Sequence, residues 1–102
     1  MTDTVHVLAI LTAKPSRRDD LVAAFNDIIE EVHSEDGCMR YELATDAPAS
    51  GDRFGDDTVV VVEQWASMEA LKAHGASAHM GRFRKASAEL LTDTKVHILS
   101  PL

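Results

Sequence analysis

The chain has 102 residues, of which 45% are hydrophobic, and this size and balance fit a single globular domain over residues 1–102. A formal net charge of -7 with scattered basic residues argues against nucleic acid or an anionic membrane surface as partner, because both require clustered lysine and arginine. The single cysteine, Cys38, excludes an intrachain disulfide and a multi-cysteine zinc site, and no apolar run is long enough to span a membrane.

The first third of the chain predicts a strand followed by a helix. Residues 5–12 form a short apolar run with several β-branched members, which is typical of a strand. Ser16 with Asp19 three residues later resembles a capping box, and residues 21–32 repeat apolar side chains on one helical face. We expect this helix to end before Gly37.

A strand, a loop and a further strand follow. Residues 39–45 alternate apolar with polar side chains, which places Met39 and Tyr41 on the same face. Residues 46–57 are rich in Gly, Pro and Asp, and a loop of this length is a candidate functional flap. Residues 58–65 contain four consecutive valines and predict the third strand.

The last third predicts two helical pieces and a final strand. Ser67 is a good N-cap for the first piece, Gly75 interrupts the helix, and residues 77–91 predict a second piece capped by its own serine. Residues 95–100 predict the fourth strand. The order strand, helix, strand, strand, helix, strand is that of the α+β ferredoxin-like fold, with a four-stranded antiparallel sheet.

The third strand also predicts a partner subunit. Residues Val59 to Val62 point alternately to both faces of the sheet, whereas two helices can cover only one face. A strand with one wet face is expected to alternate apolar with polar residues, and this strand does not. We therefore expect a homodimer in which a second sheet covers the free face; the alternative is an inner strand with a mild apolar excess.

Two residues at the end of this strand are candidates for chemistry. Glu63 and Trp65 share a face by alternation, and a carboxylate buried beside a large aromatic ring is expected to have a raised pKa. Such a group suits general-base catalysis near neutral pH. The alternatives are an ion pair for Glu63 and simple core packing for Trp65.

Two histidines are candidates for proton transfer at neutral pH. His74 and His79 are five residues apart, which would place them on different faces of a continuous helix. The break at Gly75 could instead bring both around one cavity. The alternatives are a helix C-terminal position for His74 and a surface position for His79.

Further side chains could contact a ligand, although structural roles are an alternative for each. Tyr41 could hydrogen-bond a phenol, Met39 could line an apolar pocket, and Arg82 or Arg84 could hold an anion. The chain has no dinucleotide, Walker, nucleophile-elbow or zinc-protease motif, so we expect neither cofactor nor metal. Because the N-terminal residues do not resemble a signal peptide, we expect a cytoplasmic location.

Three segments resemble the antibiotic biosynthesis monooxygenase family. The first is VEQWASMEALKAH at residues 62–74, followed by SAHM at residues 77–80. The second is GCMRYEL at residues 37–43, and the ending VHILSP at residues 96–101 is similar to that of bacterial quinol monooxygenases. The resemblance covers nearly the whole chain.

This resemblance implies a dimeric α+β barrel with a small apolar cavity between sheet and helices. It also implies a cofactor-independent monooxygenase, which oxidises a quinol, naphthol or anthrone with O2 after deprotonating it. Carried over by position, Trp65 would contact the substrate and either His74 or His79 would accept its proton. The other corresponding positions are Glu63, which would orient a partner, Tyr41, and either Arg82 or Arg84.

Other activities on this scaffold remain alternatives. Haem-degrading relatives carry an Asn on the first strand, but the only Asn here, Asn26, lies in the predicted helix, so haem degradation is disfavoured. A non-oxidative isomerase acting on a phosphorylated sugar would need a phosphate site, for which Arg82, Arg84 and Lys85 are the candidates. A non-catalytic small-molecule-binding or stress-response protein also stays open.

Overall fold

The computed structural model describes residues 3–102 and confirms the ferredoxin-like fold. Four strands form one antiparallel sheet in the order β2-β3-β1-β4. None of the helices in residues 3–102 is long and apolar enough to cross a membrane. The elements in chain order are β1 (Val5–Ala13), α1 (Arg18–Asn26), α2 (Ile29–His33), β2 (Cys38–Ala44), β3 (Thr58–Trp65), α3 (Met68–Gly75), α4 (Ala78–Ser87) and β4 (Leu91–Leu99).

The central strands β1 and β3 sort their side chains onto two faces, as the alternation predicts. Val59 and Val61 belong to the core beneath the helices, on what we call the helix-side face. Val60 and Val62 point to the opposite, open face, which no helix covers. The register pairs Val7 with Glu63, so a carboxylate enters the helix-side face among apolar neighbours.

The helical segment after β1 is bent where one continuous helix was predicted. The N–H of Ile28 donates to the carbonyl of Phe25, only three residues back, at 3.0 Å, and this tight turn separates α1 from α2. Leu21 and Phe25 on one side of the bend and Ile28 and Val32 on the other are all buried. The apolar stripe therefore stays buried on both sides of this turn.

The predicted capping box at Ser16 is wrong. Ser16 adopts a φ of 65°, and its N–H donates to Oδ1 of Asp57 at 3.1 Å. The N-cap residue is Arg17, whose side chain makes no capping bond. The turn after β1 therefore ties this part of the chain to the end of the 46–57 loop.

The two serine caps and the break at Gly75 are confirmed. Oγ of Ser67 accepts the N–H of Ala70 at 3.1 Å, and Oγ of Ser77 accepts the N–H of Met80 at 3.3 Å. α3 ends at Gly75 and α4 begins three residues later.

The second helical piece is shorter than predicted, and the fourth strand begins earlier. α4 ends at Ser87 instead of residue 91, and β4 begins at Leu91. The N–H of Lys14 donates to the carbonyl of Leu90 at 2.7 Å, and Leu91 pairs with Ala13. Pairing with β1 therefore overrides the helical pattern of these residues.

Strand β2 corrects the predicted position of Met39. Its pairing with β3 shifts between Cys38 and Arg40, and Met39 at this irregularity is 58% exposed. Tyr41 points to the helix-side face and is 3% exposed. The irregularity breaks the simple alternation that would have placed Met39 beside Tyr41.

Candidate active site

A cavity of about 400 Å³ lies between the helix-side face of the sheet and the helices. Its floor comes from β1, β3 and β4, and α4 forms much of its roof. Val96 on β4 lines the cavity and is 57% exposed, so the cavity opens at this edge of the sheet. The apolar lining residues are Val7, Ala9, Leu11, Phe25, Val61, Leu71, Met80, Phe83, Leu91 and Val96.

Three ionisable side chains meet at one end of this cavity, which we call the polar end. Tyr41 on β2 pairs in register with Glu63 on β3, and the rings of Tyr41 and His74 lie 5.5 Å apart between centroids. All three residues line the cavity. The remaining ionisable lining residue in the described part of the chain is Arg84 on α4, whose side chain is exposed.

Glu63 is the acid at the polar end, and Trp65 holds its side chain. The Nε1–H of Trp65 donates to Oε1 of Glu63 at 3.0 Å, which confirms that the two residues share a face. Glu63 is 6% exposed, and its burial raises the pKa of its carboxyl, as expected, while the Trp65 hydrogen bond and the nearby His74 act in the opposite direction.

Trp65 itself lies behind the cavity wall. It is fully buried and does not belong to the described residues that line the cavity. Its ring packs against His74, with 4.6 Å between centroids. The structure thus places Trp65 where it can orient Glu63 and His74, whereas the family resemblance implied direct contact with a substrate.

His74 and His79 meet at one carboxylate, Glu35. Nδ1 of His74 lies 2.7 Å from Oε2 of Glu35, and Nε2 of His79 lies 2.8 Å from the same oxygen. The break at Gly75 therefore brings both histidines to one carboxylate, whereas the prediction placed both around one cavity. Only His74 lines the cavity; His79 lies on the far side of Glu35, with Nδ1 3.8 Å from Oε2 of Glu31.

Sequence reasoning missed Glu35, whose position depends on the turn between α2 and β2. Gly37 in this turn has a φ of 82°, and a Cβ added there would lie 2.7 Å from Cβ of Ala70 on α3. The carbonyl of Gly37 also accepts the N–H of Ala66 at 2.8 Å. The turn therefore packs directly on α3, one helical turn before His74. The sequence signal that could have identified Glu35 is its position two residues before Gly37, the first residue of the GCMRYEL segment.

The side chains of Glu35, His74 and His79 also form the group in residues 3–102 that could hold a metal ion. Glu35, His74 and His79 each offer one ligand atom, and these atoms lie within 4.8 Å of one another. The two nitrogen–oxygen distances are those of hydrogen bonds, and no buried polar side-chain atom in the described residues lacks a partner. Hydrogen bonding therefore accounts for the arrangement.

The remaining predicted contacts fall in different places. Burial, together with the nearby Glu63, raises the pKa of Tyr41, so its hydroxyl stays protonated and can donate a hydrogen bond. Arg84 lines the cavity, whereas Arg82 forms surface ion pairs with Asp27 and Glu31.

One expected contact and the candidate flap lie away from the cavity of this chain. Met39 and the candidate flap, residues 46–57, contribute nothing to the wall of the cavity as far as residues 3–102 are described. Met39 instead lines a shallow groove beside β2, with His33 and Arg40. The flap is held by Asp46, which accepts the N–H groups of Phe54 and Gly55 at 3.0 and 2.9 Å.

Comparison with known proteins supports the resemblance in the sequence. "Putative monooxygenase Rv0793" of Mycobacterium tuberculosis is 33% identical over 100% of this chain and 95% of its own length. Its solved structure matches with a TM-score of 0.82, at 32% identity, over 97% of this chain and 95% of that one. "Probable quinol monooxygenase YgiN" of Escherichia coli is 29% identical over 93% of this chain and 95% of its length.

A more distant structure supports the fold alone. The structure of a "Putative antibiotic biosynthesis monooxygenase" from Nitrosomonas europaea matches with a TM-score of 0.86 at 18% identity, over 100% of this chain and 93% of that one. The sequence model described as antibiotic biosynthesis monooxygenase matches residues 4–86, from β1 into α4. The chain therefore belongs to the antibiotic biosynthesis monooxygenase family.

Proposed function

We propose that this protein is a cofactor-independent monooxygenase that oxidises an electron-rich aromatic compound, such as a quinol, naphthol or anthrone, with O2. The observation that carries the proposal is an apolar cavity closed at one end by His74, Glu63 and Tyr41. Its volume of about 400 Å³ lies in the range of small-molecule pockets. Monooxygenase names among the relatives agree with this chemistry.

The proposed reaction needs only the substrate and O2. Loss of a proton from a phenol or an anthrone methylene gives an electron-rich anion, which transfers one electron to O2. The radical pair then forms a carbon–oxygen bond, and the resulting hydroperoxide loses water to give a quinone. One oxygen atom ends in the product and the other in water, so the substrate supplies all the electrons. An apolar wall helps by keeping bulk water from the anion.

The polar end supplies groups for each part of this chemistry. His74 is our choice for the proton acceptor, because it faces the cavity and neutral imidazole is basic near neutral pH. Glu63 lies close enough for its charge to favour the imidazolium that forms. Tyr41, which stays protonated, can donate to the developing oxyanion of the substrate.

Oxygen uptake tests this function. Dithranol, naphthohydroquinone and methylhydroquinone are offered under isotopically labelled dioxygen, with the autoxidation of each compound as control. We expect uptake above the control and one labelled oxygen atom in the product. Substrate turnover that continues without O2 would identify an isomerase instead. Binding without turnover across the panel would indicate a non-catalytic binding protein.

We also propose that the protein works as a homodimer through the open face of the sheet. Leu8, Ile10 and Val62 form an apolar centre there that no helix covers, and Leu99 at its edge is 50% exposed. An apolar face of this kind marks an interface, and a second copy of the sheet is complementary to it. Light scattering at low micromolar concentration should give a dimer, and Val62→Lys should give a folded monomer. A wild-type monomer under these conditions would disprove the dimer.

A further inference from the structure

Glu35 and His79 have no function in the reaction outlined above, although they are linked to its proton acceptor. One oxygen of Glu35, Oε2, is within hydrogen-bond distance of both His74 and His79. The side chains of Glu35 and His79 are each only 13% exposed, and that of His74 is 7% exposed. A shared carboxylate oxygen between two enclosed imidazoles restricts where the protons can lie.

The hydrogen bonds fix the tautomer of His74. An ionised carboxylate only accepts hydrogen bonds, so each short nitrogen–oxygen contact places a proton on the imidazole nitrogen that faces Glu35. A neutral imidazole has one N–H, so His74 with its proton on Nδ1 has a lone pair on Nε2. Within residues 3–102, Nε2 of His74 has no hydrogen-bond partner, and the ring lines the cavity.

The same reasoning separates His79 from the substrate. Its Nε2–H is directed at Glu35, so its lone pair is on Nδ1. Nδ1 faces Glu31, at 3.8 Å, and Glu31 is paired with Arg82 on the surface. The free nitrogen of His79 therefore points away from the cavity, and the free nitrogen of His74 is the one available to a ligand.

We propose that Glu35 is a positioning residue that sets His74 as the base of the reaction, and that His79 acts by holding Glu35 rather than by touching the substrate. This inference rests on the proposed function for the use of the base, but the tautomer can be measured without any reaction. During turnover, the substrate O–H or C–H bond breaks and the proton moves to Nε2 of His74. The imidazolium is stabilised by the Glu35 anion and returns the proton to the peroxide oxygen formed from O2.

Nitrogen-labelled histidine NMR tests the tautomer directly in the whole protein. We expect wild-type His74 to be protonated at Nδ1 and unprotonated at Nε2. Glu35→Gln keeps the size of the side chain and removes its charge, and we expect it to populate both tautomers. Glu30→Gln is the matched control, because Glu30 is an exposed carboxylate of α2 outside this cluster. Wild-type His74 carrying its proton on Nε2 would overturn the inference, whether or not a substrate has been found.

Kinetics with any substrate oxidised in the uptake assay provide the second readout. We expect Glu35→Gln to lower kcat about a hundredfold with little change in KM, and Glu30→Gln to leave both unchanged. His79→Gln keeps an N–H near the position of Nε2, so its kcat should stay within about threefold of wild type. Wild-type kcat in Glu35→Gln would disprove the positioning function while leaving the oxygenase proposal intact. A loss in His79→Gln as large as that in His74 variants would show that His79 is itself the base.

Zinc titration distinguishes hydrogen bonding from metal binding. We expect zinc chloride, followed by calorimetry, to show no saturable site that depends on Glu35. Stoichiometric zinc binding that is lost in Glu35→Gln and unchanged in Glu30→Gln would identify a metal site and overturn the inference.

Discussion

His74 lies between two carboxylates in different surroundings. On the cavity side, Glu63 is 6% exposed, accepts one hydrogen bond from Trp65, and has a pKa raised by burial. On the other side, Glu35 accepts hydrogen bonds from two imidazoles through one oxygen. In the proposed mechanism, Glu63 supplies charge at the cavity and Glu35 sets the orientation and tautomer of the His74 ring.

Under the proposed function, His74 and the two carboxylates together form the base from ordinary side chains. Neither carboxylate alone makes the proton acceptor, because Glu63 lines the apolar cavity and Glu35 does not line it. The imidazole between them connects a fixed hydrogen bond on one edge with an open cavity on the other. Variants that replace either Glu35 or Glu63 can therefore separate the orientation of the imidazole from the effect of a nearby negative charge.

The largest effect is expected when the imidazole itself is replaced. His74→Asn keeps an N–H near the position of Nδ1 and so retains a donor to Glu35, but it removes the nitrogen that faces the cavity. We expect kcat to fall by about 10²–10⁴-fold, the usual contribution of a general base. Oxygen uptake measures the effect, and Glu30→Gln, at an exposed position of α2 outside the cavity, is the control. Activity within tenfold of wild type would exclude His74 as the base.

A substitution in the turn that carries Glu35 should mainly lower the free energy of unfolding. Gly37→Ala introduces both a strained φ and a contact of 2.7 Å with Ala70, so we expect a loss of about 2–4 kcal/mol in the free energy of unfolding. Gly55→Ala is the matched control: its φ of 114° is also positive, but nothing lies within 4 Å of the added Cβ. Urea unfolding compares the two. Equal losses would show that the packing of the turn on α3 contributes nothing.

Removing the charge on the cavity side should change how stability depends on pH. The folded-state pKa of Glu63 is raised above its usual 4.5, so this group favours folding most below that value, and the contribution is lost as pH rises through the folded pKa. Glu63→Gln retains an acceptor for Trp65 without the buried charge. We therefore expect the variant to be more stable than wild type at mildly alkaline pH, with the difference shrinking toward acid. Urea midpoints across this range measure it, and a constant difference would contradict the raised pKa.

The sequence could predict the parts of the site that depend on local periodicity. Glu63 and Trp65 share a face because strand side chains alternate, and the break at Gly75 follows from one residue and a serine cap. Glu35 could not be found this way, because its contacts with His74 and His79 span 39 and 44 residues of sequence. These contacts depend on how closely the turn at Gly37 approaches α3.

The same limit explains the wrong predictions. A single irregularity in β2 moved Met39 away from the face of Tyr41. Pairing with β1 drew Leu91 into β4 from a pattern that fitted a helix. In both places, contacts between strands decided a conformation that neighbouring residues left open.

The smallest effect is expected from two neighbouring arginines of α4, of which one lines the cavity and the other does not. Arg84 lines the cavity, whereas Arg82 is engaged with Asp27 and Glu31 on the surface. We expect Arg84→Met to weaken the binding of an anthraquinone carboxylate about threefold to fivefold, because an exposed charge is strongly screened by water. Arg82→Met should leave binding unchanged, since its charge is already paired away from the cavity. The fluorescence of Trp65 reports binding in both variants. Equal affinities of the two variants for the carboxylate would place the bound anion away from Arg84 and outside the cavity mouth.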